Sequence, residues 1–127
     1  MKKYVKLIFI VVMLYFSLIL VSNVSNAASS SLSTNSSTVT EGDTINITVT
    51  VNAAQWNLTL TANGETLNTW TETVNYAENL SRTFTASYKT ENSGTVNFTL
   101  SGDITDVDQT NTEINTSRSV TVKEKET

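Results

Sequence analysis

Between Thr44 and Asn52 the chain reads Thr-Ile-Asn-Ile-Thr-Val-Thr-Val-Asn. Ile45, Ile47, Val49 and Val51 then fall on one side of an extended backbone, and Thr44, Asn46, Thr48, Thr50 and Asn52 on the other. A period of two with β-branched residues on both faces specifies a half-buried strand. A helix would scatter the four apolar residues around its circumference. The pattern recurs in Gln55–Thr61, with Trp56, Leu58 and Leu60 inward, and Asn63-Gly64 follows as a tight-turn signal ahead of a strand at Glu65–Trp70. Leu80–Tyr88 alternates again, Asn92-Ser93-Gly94 marks another turn, Thr95–Ser101 turns Val96, Phe98 and Leu100 inward, and Arg118–Lys123 carries Val120 and Val122. No segment holds apolar residues at helical spacing over three turns. The four glycines, Gly42, Gly64, Gly94 and Gly102, are expected at strand boundaries. The expected fold is all-β: an Ig-like antiparallel β-sandwich of about seven strands, with Trp56 at the centre of its core.

Ahead of this pattern lies a different kind of segment. Lys2, Lys3 and Lys6 precede an apolar run from Leu7 to Val21, and Ser25-Asn26-Ala27 ends it. A basic stretch, an apolar run and small residues three and one before a cut make residues 1–27 a signal peptide cleaved after Ala27. The apolar run is shorter than the roughly 20 residues that span a bilayer. An uncleaved anchor is the alternative, and only then would the protein touch a membrane. Ala28–Thr38, mostly Ser, Thr and Asn, reads as a linker or a loosely held first strand. Residues 39–123 form the sandwich, and 124–127 a charged tail.

Without residues 1–27 the chain has 100 residues, five basic and twelve acidic, for a net charge near −7. That length suits one domain, which buries roughly two thirds of its unfolded surface. The core must hold without staples, because the chain has no cysteine. A cysteine-free exported chain suggests a bacterium with a single membrane. The acidic balance argues against nucleic acid as partner, which needs a basic footprint, and against attraction to anionic lipid.

The stretch Val39-Thr40-Glu41-Gly42-Asp43-Thr44-Ile45-Asn46-Ile47-Thr48-Val49 resembles the opening of bacterial Ig-like domains, and more loosely of cohesin-like domains, in exported Gram-positive proteins. Ala54-Gln55-Trp56-Asn57-Leu58, Phe84-Thr85-Ala86, Gly94-Thr95-Val96-Asn97-Phe98, Ser101-Gly102-Asp103-Ile104-Thr105-Asp106 and Ser119-Val120-Thr121-Val122 extend the likeness from about Leu32 to Lys123. The resemblance implies a role as spacer, adhesin, or carbohydrate- or protein-binding module. Within it, Gly42 is expected to supply a positive φ and Asp43 to close the turn onto downstream amides.

Two groups of residues are candidate sites. Asp103, Asp106 and Asp108 lie in an acidic stretch able to offer oxygens to Ca²⁺, although their spacing is not that of an EF-hand loop; the plainer reading is a solvated strand connection. Trp70 and Tyr76 lie in the least regular stretch, Asn68–Asn79, where exposed rings could stack on sugars; the plainer reading is that they cover a core edge. Beyond Ala27, Asn-x-Ser/Thr triplets begin at Asn35, Asn46, Asn57, Asn79, Asn97 and Asn115, as an Asn/Thr-rich outer face produces by composition.

Catalysis has little to draw on. The chain has no His and no Cys, and Lys89, Lys123 and Lys125 fit no Ser-x-x-Lys spacing. The expectation is a non-catalytic extracellular module without cofactor, with a structural, surface or adhesive role, secreted or at the cell surface. The alternatives are a carbohydrate-binding module and an exported protein-binding factor of cohesin type. Its partner would be an extracellular protein or polysaccharide.

Overall fold

The computed structural model describes residues 27–126, so the signal-peptide segment lies outside the described residues apart from Ala27. Eight strands follow one another: β1 (Ser29–Thr34), β2 (Thr38–Thr40), β3 (Thr44–Ala53), β4 (Gln55–Ala62), β5 (Glu65–Glu72), β6 (Leu80–Lys89), β7 (Gly94–Thr105) and β8 (Asn111–Lys123). They form two sheets, one in the order β1-β3-β6 and the other β2-β8-β7-β4-β5. All neighbours are antiparallel except β2 and β8.

The alternation read in the sequence sets which face of each strand is buried. Ile45, Ile47, Val49, Val51 and Ala53 of β3 are wholly buried, and so are Leu58 and Leu60 of β4. Phe98, Leu100 and Ile104 of β7 and Val120 of β8 share a sheet with Leu58 and Leu60 of β4, and together they meet the β3 side chains from the facing sheet. Each such side chain removed from water stabilises the fold by about 1.5–3 kcal/mol. Trp56 joins this core at 5% exposure, opposite Ile104 and Glu72 near one end of β4, so Phe98 rather than Trp56 is the largest wholly buried side chain.

Asn63 and Gly64 have φ of 48° and 86°, and Ala62 pairs with Glu65 across them. Two positive φ values in a two-residue loop match the right-handed twist of the strands they join. Gly42 takes its expected positive φ, at 91°. The Asp43 carboxylate closes that turn in the opposite direction from the one expected: it accepts the N–H of Thr40, upstream, at 3.0 Å.

The expected sandwich of about seven strands stands, with eight, because the first edge divides between the sheets. Three further details differ from the sequence reading. Within 28–38, read as a linker or loose strand, β1 pairs with β3 over six residues and buries Leu32, and β2 then crosses to β8. Gly102 is no boundary residue. It lies inside β7 between Leu58 and Ile114, with φ of 131°, and a Cβ there would collide with the Asn57 carbonyl oxygen. The close approach of backbone, rather than a turn, requires glycine. Finally, β8 begins at Asn111 rather than Arg118, and its pairing with β7 runs without a break from Gly94–Val122 to Thr105–Asn111.

Candidate functional site

The structure uses Trp70 and Tyr76 internally. Trp70 stands on β5 opposite Leu58, half-buried, and its ring stacks on Phe84 of β6 at 5.2 Å between centroids and 15° between planes. Phe84 also meets Trp56 at 6.2 Å and 55°. The edge strands of the two sheets are thus closed by one phenylalanine set between two tryptophans. Tyr76 is fastened separately: its N–H donates to the Ala54 carbonyl at 3.0 Å and its hydroxyl to Glu72 Oε2 at 3.1 Å. The Glu72 hydrogen bond holds the Tyr76 proton above the ordinary phenol value. Both rings pack against the core cluster, and no ring contact joins them among the described residues.

The three aspartates are divided by the pairing of β7. Asp103 lies within the strand, between Asn57 and Glu113. Asp106 and Asp108 follow in the tight connection to β8, where Asp108 Oδ1 accepts the Thr110 N–H at 2.9 Å. Asp106 faces the start of β1, and its Oδ2 accepts the N–H of Ala28 at 2.8 Å. Its Oδ1 accepts from Asn79 Nδ2 at 3.4 Å and from the Asp108 N–H at 3.5 Å. These donors, Ala28 first, hold the carboxyl below its ordinary value. Among the described residues no three acidic side chains gather so as to hold a metal ion.

The opposite end is fastened by Thr90, the buried polar residue among those described, at 2% exposure. Its hydroxyl donates to the Asp43 carbonyl at 2.8 Å and accepts the Gly42 N–H at 3.0 Å. Nothing in the sequence around Thr90 announced this, since its partners lie 47 and 48 residues away. A polar hollow of about 160 Å³ lies nearby, between Asn63, Tyr88 and Thr90–Val96.

A further surface follows from topology. β2 covers only Thr121–Lys123 of the long β8, and no strand pairs with the rest of that edge among the described residues. Thr121 donates its N–H outward to Ser37, and the Lys123 carbonyl accepts outward from Glu41. Backbone direction alternates along a strand. The N–H and C=O groups of Glu113, Asn115, Ser117 and Ser119 therefore face the open side, beside exposed side chains of the same residues. The edge lacks proline, and the aliphatic side chain nearest it in sequence, Ile114, is half-buried.

No family model matches the chain, and no curated protein matches it. Solved structures similar to it include the CARDB domain of the PF1109 protein from Pyrococcus furiosus, crystallised in complex with di-metal ions. That likeness has a TM-score of 0.55 at 14% identity, covering 78% of this chain and 94% of that one. The solution NMR structure of the same domain gives a TM-score of 0.58 at 13% identity, over 76% and 94% of the two chains. At such identities the likeness carries the fold, an Ig-like β-sandwich, and nothing of the site.

Proposed function

We propose that this chain is a non-catalytic, exported β-sandwich module of a bacterial, Gram-positive type, secreted or held at the cell surface, where it serves a structural or adhesive role through its strand edges. The observation that carries the reading is the open β8 edge, where successive outward backbone groups from Glu113 to Ser119 stand ready to pair with an extended segment of another extracellular protein. An unpaired edge of that length is a template for added strands. Export itself is supported by the sequence of residues 1–27.

The carbohydrate-binding alternative is weakened by the commitment of Trp70 to Phe84 and of Tyr76 to Glu72. The calcium reading has little support: among the described residues no three acidic side chains gather, and pairing with β4 and β8 keeps Asp103 within β7 while Asp106 and Asp108 lie in the connection beyond it.

The test is retention of the purified protein on intact cells and cell-wall fractions, with Ser117→Pro as the control. Proline at 117 removes one outward N–H from the middle of the open edge. Wild-type retention with loss in the variant, both giving the same β-rich circular dichroism, is the expected result. Equal retention of both would overturn the edge reading, and retention by a glycan array alone would favour the sugar-binding one.

A further inference from the structure

Ala28 is fastened before the first strand begins. It is half-buried against the core, and its nitrogen lies 2.8 Å from Asp106 Oδ2, across 78 residues of sequence. The carboxylate is itself aimed. Asn79 Nδ2 and the Asp108 N–H hold its other oxygen, while Asn79 Oδ1 accepts the Val107 N–H at 3.1 Å. Ala28 supplies the shortest of these contacts to the carboxylate. The atom so captured is also the one that the sequence marks for exposure by cleavage, since Ser25 and Ala27 stand three and one residues before it.

We infer that hydrolysis of the Ala27–Ala28 bond turns this nitrogen into an α-ammonium that Asp106 binds as an ion pair, so that the fold carries a built receptor for its own processed N-terminus. The inference rests on the export reading, with cleavage after Ala27. A signal peptidase selecting small side chains would catalyse the step. Water adds across the amide: its oxygen joins the Ala27 carbonyl carbon, which departs as a carboxylate, and the C–N bond breaks to leave the Ala28 nitrogen protonated. The nitrogen keeps its partner and gains two donors and a positive charge. Charge-assisted pairs of this kind are shorter and stronger than neutral ones. A cut one residue earlier would displace the charge by about 3.8 Å, and a cut one residue later would delete the contact.

Intact mass of the protein recovered from the medium comes first. A chain starting at Ala28 is expected, and any other start overturns the cut after Ala27 and the ion pair with it. On protein that does start at Ala28, a double-mutant cycle combines Asp106→Asn with one glycine added ahead of Ala28. Each change alone is expected to lower the melting temperature by about 3 °C, and the glycine to cost nothing further once residue 106 is asparagine. Acetylation of the α-amine by limiting reagent is expected to run about threefold faster in Asp106→Asn, because the carboxylate no longer holds the amine in its protonated, unreactive form, with the Lys89 amine unchanged. Additive losses, or equal acetylation, would overturn the ion pair while leaving the export cut standing. If Asp106→Asn does not fold, the glycine-extended protein decides alone. Its α-amine should react about threefold faster than wild-type, and equal protection would overturn the pairing.

Discussion

The two ends of the sandwich do the same job with different chemistry. At one, the Thr90 hydroxyl, out of contact with water, joins Gly42 and Asp43 to the end of β6. At the other, the Asp106 carboxylate, half-exposed, joins Ala28 and Asn79 to the β7–β8 connection. Each fastener spans a long stretch of sequence and stops a connection from peeling away. They differ in what can undo them. A buried hydroxyl has no charge to lose, and its removal leaves backbone groups without partners. A surface carboxylate can be protonated or screened, and water can replace it.

Core substitutions are the strongest way to break this comparison. If the ends differ only in their fasteners, Phe98→Ala beside Tyr88 at the Thr90 end and Trp56→Ala beside Phe84 at the other should each cost about 4 kcal/mol in denaturant unfolding. A gap of more than about 2 kcal/mol would mean that the packing itself is unequal. Gly102→Ala should cost about 3 kcal/mol or more, because its Cβ would meet a backbone carbonyl that pairing holds in place, at a φ unsuited to alanine. Loss of the far half of the β7–β8 pairing, read by hydrogen exchange, should accompany it. Thr90→Val should cost about 2 kcal/mol at every pH between 3 and 8, as expected of a buried neutral group left unpaired.

The smallest effect should come from Asp106→Asn, about 3 °C in melting temperature at pH 7, and it alone should depend on pH. The folded protein holds the Asp106 carboxyl below its ordinary value of 3.8, chiefly through the Ala28 N–H. The unfolded chain therefore binds this proton more tightly. The stabilisation is complete above the ordinary value and is lost as pH falls through the lower, folded-state one. Melting curves of wild-type and variant should converge below that point. A difference that persists unchanged at low pH would mean that Asp106 acts by shape rather than by charge.

How far the sequence carried the fold depends on where each strand's partners lie. β3 and β4 are paired on both sides and buried on one face, so their alternation is complete and Ile45 through Leu60 declare themselves. β1 buries only Leu32 among serines, and the register that makes it a strand belongs to β3. The first half of β8 was illegible for a related reason. From Asn111 to Ser117 it offers one aliphatic residue, Ile114, because its hold on β7 is through the backbone. Gly102, flanked by Ser101 and Asp103, has the composition of a turn, and only the nearness of the Asn57 carbonyl explains it. Trp70 and Tyr76 stand out in the sequence as aromatics in an irregular stretch, but spacing does not reveal Phe84 and Glu72, which claim them. The ties made by Thr90 and Asp106 are long-range contacts between polar groups, which leave no periodic trace.

One consequence follows from the path of the first edge. β1 runs from the Asp106 end toward the Thr90 end, and β8 finishes at the Thr90 end, where Glu41 meets Lys123. Tension applied through Ala28 and Lys123 would therefore pull lengthwise, along the ladders rather than across them. The β1–β3 and β2–β8 hydrogen bonds would bear the load together, in shear, instead of opening one at a time like a zip. Tethered in series between a cell and a support, such a unit would resist stretching far better than one whose two ends left from the same side.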